Sequence, residues 1–221
     1  MVKILGIDEA GRGSVIGPMV IGGVLIDEKD SNKLKIIGVK DSKLLSPKQR
    51  EALYPKIKKI AKDHVILKIS AKEIDELRKT TNLNKIEAEK MAQIIKAMKA
   101  DKAYVDAPQV STEKFKNILL TLAKNKTEII AENYADLKYP VVSAASIIAK
   151  VERDKDIEKI KKIVGFDFGV GYSHDQRSIE FVKKCLKEKK YLEFIRQSWI
   201  TVSNLKVKKE QKTLKEYKRN K

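Results

Sequence analysis

Two short apolar runs open the chain, Val2 to Ile7 and Met19 to Ile26, and each is the length of a strand. Their proximity predicts a hairpin. The first run stops at two adjacent acids, Asp8 and Glu9, and the connection carries a glycine-flanked arginine, Gly11-Arg12-Gly13. Further on the period changes. Ser46-Pro47 has the form of a helix start, a capping residue followed by proline at the first helical position. Leu53, Ile57, Ile60 and Ala61 then give that helix one apolar face.

The same reading continues downstream. Asp27 to Lys35 is polar and turn-like, Val65 to Ile69 a short strand, and 71–79 and 84–100 are helical. In the second of these helices Met91, Ile94, Ile95 and Met98 form the stripe. Ala103 to Val105 is a brief strand that stops at Asp106. Residues 111–124 place Phe115, Ile118, Leu119 and Leu122 at helical spacing, and Thr127 to Ala131 is a strand leading towards Asp136. A long helix is predicted from Pro140 to Ile163, opening on the small residues Ser143-Ala144-Ala145-Ser146, followed by a loop at Gly165 to Gly171 and a helix over 175–188. Strands that lead, with helices interleaved, predict an α/β core over 1–165 and a mainly helical C-terminal region over 166–221.

Composition narrows the class. No apolar run approaches the ~20 residues of a membrane-spanning helix, and the N-terminus lacks the pattern of a signal peptide. The single Cys185 falls in a helical pattern and excludes an internal disulfide framework. A soluble, cytoplasmic protein with no membrane partner is expected. The formal net charge of +18 attracts polyanions and makes such binding salt-dependent. A surface rich in Lys and Glu also suits a thermophile. The basic tail, residues 206–221, holds seven Lys and one Arg against two Glu, a net of +6. It reads as a solvated terminal helix or as an extra hold on a nucleic-acid backbone.

The chemistry is sought among acids placed at strand ends. Most acids lie on helices beside lysines, as solvated faces do, whereas Asp8, Glu9, Asp106 and Asp136 do not. In α/β sheets, sites form in the crevice beyond the strand ends. Carboxylates gathered there repel one another, and burial raises their pKa values unless a hard divalent cation compensates. Oxygen-only ligands favour Mg²⁺ or Mn²⁺, and neither His64 nor His174 stands in a zinc-like spacing. In a basic protein the cluster points to a two-metal phosphoryl-transfer site. Taken singly, Asp106 and Asp136 also fit turn-capping roles.

These residues resemble the ribonuclease HII family, its archaeal branch most of all. The match runs from Asp8-Glu9-Ala10-Gly11-Arg12-Gly13 through Val39-Lys40-Asp41-Ser42-Lys43-Leu44 and Asp106 to Ala135-Asp136. It continues with Tyr139 to Lys150, Glu152-Arg153-Asp154 and Gly171-Tyr172, covering roughly residues 2–200. The resemblance implies a ribonuclease-H-like fold, a mixed central sheet flanked by helices. It implies a monomeric, divalent-metal-dependent endonuclease that hydrolyses the RNA strand of RNA/DNA hybrids. Incision at ribonucleotides embedded in duplex DNA is also implied, leaving 5′-phosphate and 3′-hydroxyl ends.

On the same resemblance, Asp8, Glu9, Asp106 and Asp136 are the metal ligands and catalytic residues. Gly11 and Gly13 would let their backbone amides approach the 2′-hydroxyl, Arg12 would contact a phosphate near the cut, and Tyr172 would lie against the sugar. Lys43 and Ser146 match phosphate-contact positions, with Lys150 and Arg153 further along the same long helix as Ser146. Two positions depart from the family pattern: Ser14 and Ser173 stand where prolines are usual. Two other readings remain open on the sequence: a DNA nuclease of the same superfold, and a non-catalytic nucleic-acid-binding protein.

Overall fold

The computed structural model describes residues 1–108 and 111–207. The strands are β1 (Lys3–Ala10), β2 (Met19–Asp27), β3 (Asp63–Ile69), β4 (Lys102–Asp106) and β5 (Glu128–Glu132). The helices are α1 (Ser31–Ile36), α2 (Pro47–Ile60), α3 (Ala71–Leu77), α4 (Leu83–Met98), α5 (Thr112–Ala123), α6 (Ala135–Lys138), α7 (Pro140–Val164) and α8 (Gln176–Glu188). A further helical stretch covers 200–207. Among the described residues none of these helices is long and apolar enough to cross a membrane.

The strands form one mixed sheet in the order β3-β2-β1-β4-β5. β1 runs antiparallel to β2 and parallel to β4, and β4 runs parallel to β5. The predicted hairpin is therefore present. Its first strand is longer than the apolar run, however: it continues through Asp8 and Glu9, which pair with Gly22 and Ile21, as far as Ala10. The backbone ladder extends β1 past the point where the apolar side chains stop. The stretch 27–35, expected to be turn-like, holds a 3₁₀ turn at Glu28–Asp30 and the six-residue α1.

The start of α2 follows its sequence signal. Ser46 accepts from the Gln49 amide while the Gln49 side chain accepts from the Ser46 amide, closing a capping box. In α4 the stripe Met91, Ile94, Ile95 and Met98 is buried as expected. In α5 Phe115 and Leu119 are buried, but Ile118 is exposed.

The described chain divides into two compact units. The first comprises Met1–Arg12, Met19–Lys68 and Thr81–Lys155, and it holds the sheet apart from the last residue of β3. Its core joins Ile4, Val24 and Ile26 of the sheet to Leu53 and Ile57 of α2 and to the buried face of α7. The small residues that open α7 have a packing reason. A Cβ on Gly6 would strike the backbone of Val141 and Val142, and one on Gly22 would lie 2.7 Å from the Ala145 carbonyl oxygen. Glycine on the strands and alanine on the helix together allow close contact between α7 and β1–β2.

The second unit gathers Gly13–Pro18, Ile69–Thr80 and Asp156–Lys221. Its core contains Val15, Ile16, Ile157, Ile160, Phe168, Phe181, Val182 and Ile195. Cys185 is buried within it, and burial pushes the thiol up to about 11, which keeps it protonated and inert. The side chain of Arg196 is also fully buried here, its Nε donating to the Gly17 carbonyl at 3.1 Å. The predicted basic tail lies, from residue 208 onward, outside the described residues.

Candidate active site

Alternation along β1 sets the geometry. Successive side chains on a strand point to opposite faces. Asp8 therefore shares the face of Gly6, towards α7, while Glu9 shares the face of Leu5 and Ile7, towards α4. Asp106 is the last residue of β4, one step beyond the Ile7–Val105 pair, and so lies beside Asp8 on the same face. Its carboxylate accepts from the Ala135 amide at 2.9 Å, which ties the start of α6 to the end of β4. That bond brings Asp136, the next residue, into the group. One carboxylate oxygen from each of Asp8, Asp106 and Asp136 lies within 4.8 Å of the others.

The electrostatics are those of a crowded acidic site. Burial, then Glu9, raises the Asp8 carboxyl from 3.8 to about 8, against the opposing effects of Lys150 and Ser146. Burial, then Asp8, raises Asp106 to about 7. Asp136 is buried, and its Oδ1 has no hydrogen-bond partner among the described residues. Its Oδ2 faces the Lys43 ammonium at 3.4 Å. Burial alone would lower the Lys43 pKa, but Asp136 and Asp41 outweigh it and hold it above its usual value.

Glu9 has a different neighbour. Glu87 of α4, fully buried, faces it. Burial, then Glu87 and Asp106, holds the Glu9 carboxyl well above its usual value. Glu87 is itself raised, by burial first, although Arg12 works against the rise. Arg12 donates from Nε to Glu87 at 2.9 Å and from Nη2 to Asn84.

A family profile described as Ribonuclease HII matches residues 5–202. The chain belongs to the ribonuclease HII family. The ribonuclease HII of Methanosarcina acetivorans is 49% identical over 213 residues, covering 92% of this chain and 96% of that protein. That of Pyrococcus horikoshii is 43% identical over 223 residues, covering 98% and 99%. Among solved structures, the ribonuclease H2 of Pyrococcus horikoshii OT3 superposes with a TM-score of 0.86 at 42% identity, covering 94% of this chain and 98% of that one. The Archaeoglobus fulgidus ribonuclease HII, solved as a complex with PCNA, gives a TM-score of 0.83 at 42% identity, covering 90% and 95%.

The chain is thus a type 2 ribonuclease H, a metal-dependent endonuclease with a ribonuclease-H-like fold. The residues present fit a divalent cation: three hard oxygen donors converge, two carry raised pKa values, and the third offers a buried oxygen without a partner among the described residues.

Other residues singled out in the sequence take up separate positions. Gly11 has φ +79°, a conformation that favours glycine. Gly13 is exposed, with open space where a Cβ would stand. Tyr172 is in the second unit, stacked on His174 at 5.5 Å between ring centres. The carbonyl of the preceding Gly171 accepts from the amides of Val15 and Ile16, so this loop is fastened to the segment that follows Gly13. Arg153 is buried with Asp154 at 3.7 Å.

Ser146 is fully buried, unlike a side chain that greets an incoming phosphate. Its hydroxyl contacts Ser42 Oγ at 2.9 Å, receives Lys150 Nζ at 3.1 Å, and hydrogen-bonds to Asp8. Orientation of Asp8 is the role this geometry supports. Lys43 is exposed on a turn held from beneath, where Arg50 donates to the carbonyls of Ser42 at 3.2 Å and Leu45 at 2.7 Å.

Glu87 stands in no motif and, in sequence, resembles the helical acids that lie beside lysines. The available signal was its position in α4, between the buried Ile86 and Ala88 and one turn before Met91.

Proposed function

We propose that this ribonuclease H cuts the RNA strand of RNA/DNA hybrids and also incises duplex DNA at embedded ribonucleotides, acting as a monomer on Mg²⁺ or Mn²⁺. The observation that carries the reading is the convergence of Asp8, Asp106 and Asp136 near the C-terminal ends of the central strands β1 and β4. Bound divalent ions would activate a water and stabilise the leaving oxygen of the phosphodiester. Asp8, Asp106 and Asp136 would hold them. Glu9 lies outside that trio and faces Glu87, but it is near enough to Asp106 for the two charges to repel, and it would join as the fourth ligand.

The chain's own groups do the rest. Lys150 and Ser146 orient Asp8. Lys43, already paired with Asp136, is placed to take a phosphate of the cut strand once cations neutralise that acid. The left-handed backbone at Gly11 and the open space at Gly13 support amide contacts to the 2′-hydroxyl, the group that separates RNA from DNA. We assign Tyr172 to the sugar at the junction. Its support is the anchoring of its loop to the segment after Gly13.

The decisive experiment uses a DNA duplex carrying one ribonucleotide, a continuous hybrid and an all-DNA duplex, each with Mg²⁺, with Mn²⁺ and with EDTA. Cutting of the first two with metal alone is expected, and Asp106→Asn should lower the rate by at least about a hundredfold through loss of a charged ligand. Cleavage of all-DNA duplex at a comparable rate, or cleavage in EDTA, would overturn the assignment.

A further inference from the structure

The structure assigns a function to two α4 residues that no motif marks. We propose that Asn84 and Glu87 are positioning residues that fix the guanidinium of Arg12, so that the Gly11-Arg12-Gly13 turn meets its substrate with the arginine already oriented. This rests on the reading of Arg12 as a substrate phosphate contact.

Three observations converge. Glu87 is fully buried yet ionisable, which is costly unless a partner compensates. Its partner is Arg12, at 2.9 Å from Nε, and Asn84, one turn earlier on the same helix face, accepts from Nη2. Two nitrogens of the planar guanidinium are thereby directed to two fixed acceptors on one rigid helix. Arg12 itself keeps about a third of its side-chain surface, 32%. A guanidinium oriented by two acceptors and still a third exposed is the arrangement expected of an arginine that receives a phosphate. The asparagine that caps α4, Asn82, accepts from the Lys85 amide, so the helix start that carries Asn84 and Glu87 is itself fixed.

A bland alternative exists: the ion pair merely fastens α4 to β1. The two differ in the property that couples to Arg12. A positioning residue couples to it in kcat/KM with Tm little changed, whereas a fastening couples to it in Tm.

The test is a pair of double-mutant cycles. Asn84→Ala and Glu87→Gln are each made alone and together with Arg12→Ala. The readouts are kcat and KM on the single-ribonucleotide duplex, and Tm. Each single variant is expected to lose about tenfold in kcat/KM, mostly as a raised KM, and to lose less than about twofold more when Arg12 is already alanine. Equal losses in both backgrounds at either position overturn the proposal, as does a fall in Tm with kcat/KM intact. Asn84 is only partly buried, so its variant decides the matter even if Glu87→Gln fails to fold. Failure of the wild-type protein to cut the duplex with either metal would instead strike the functional reading itself.

Discussion

Asp8 and Glu9 are neighbours in sequence and face opposite sides of the sheet, and this single fact divides their environments. Asp8 joins Asp106 and Asp136, while Glu9 meets Glu87. The sequence placed all four acids near strand ends, and three of them do converge. What it did not display was the pairing register, which decides the face on which each carboxylate falls. Nor did it show Ser146 and Lys150 beneath Asp8, because those contacts depend on how closely α7 approaches the strands.

The same environment gives a pH dependence. Burial holds Asp8 at about 8 rather than 3.8, so between those values the folded protein retains a proton that the unfolded chain has released. Without metal, this group therefore removes stability as pH rises through the window. Asp8→Asn, which has no charge to bury, is expected to be more stable than wild type in EDTA. The difference should be small near about pH 4 and reach on the order of a few kcal/mol near about pH 8. Saturating Mg²⁺ should shrink or reverse it, because the cation favours the ionised wild-type carboxylate. Chemical denaturation of both proteins across this range checks the expectation, and a pH-independent difference in EDTA would refute it.

At the level of elements, signals carried by short range survived into the structure. The capping box at Ser46 and the apolar stripe of α4 are local, and both formed as expected. The six-residue α1 lacks enough turns to show a period, so its stretch reads as polar turn. The glycines of β1 and β2 report on packing between elements. Gly6 lies under the α7 backbone at Val141–Val142, and neither main chain has a flexible side chain to move aside. Gly6→Ala is expected to destabilise by roughly 3 kcal/mol and to lower activity by displacing the helix that carries Ser146 and Lys150. Gly13→Ala serves as the contrast, because open space surrounds that position, and its stability should stay within about 0.5 kcal/mol of wild type. Urea midpoints decide, and equal effects at the two glycines would refute the packing argument.

On the scale of the whole molecule, a cut along the chain at residue 165 does not coincide with the compact units. The second unit takes in Gly13–Pro18 and Ile69–Thr80 as well as the C-terminal region. These joins are made by long-range contacts. Val15 and Ile16 bond to Gly171, and Asp75 accepts from the amides of Gln197 at 2.7 Å and Ser198 at 3.0 Å. No local period announces such pairings.

Net charge is the other property that belongs to the whole molecule, and its distribution can be tested at the tail. Lys206 is fastened, its ammonium donating to Gln197 at 3.1 Å. Residues 208–221 hold six Lys and one Arg against two Glu, a net of +5 out of +18. If these residues grip the nucleic-acid backbone, each phosphate they neutralise releases counterions and steepens the dependence of affinity on salt. Removing 208–221 should then weaken binding of the hybrid and flatten the slope of log Kd against log salt by up to about 4. The slope is the informative quantity. A tail that acts only through long-range attraction changes affinity at low salt but loses that effect once the Debye length falls below roughly 10 Å. Titrations of a catalytically inactive Asp8→Asn protein, with and without 208–221, at several salt concentrations separate the cases. An unchanged slope would make the tail a solvated extension, with the +13 of the remaining chain accounting for the binding.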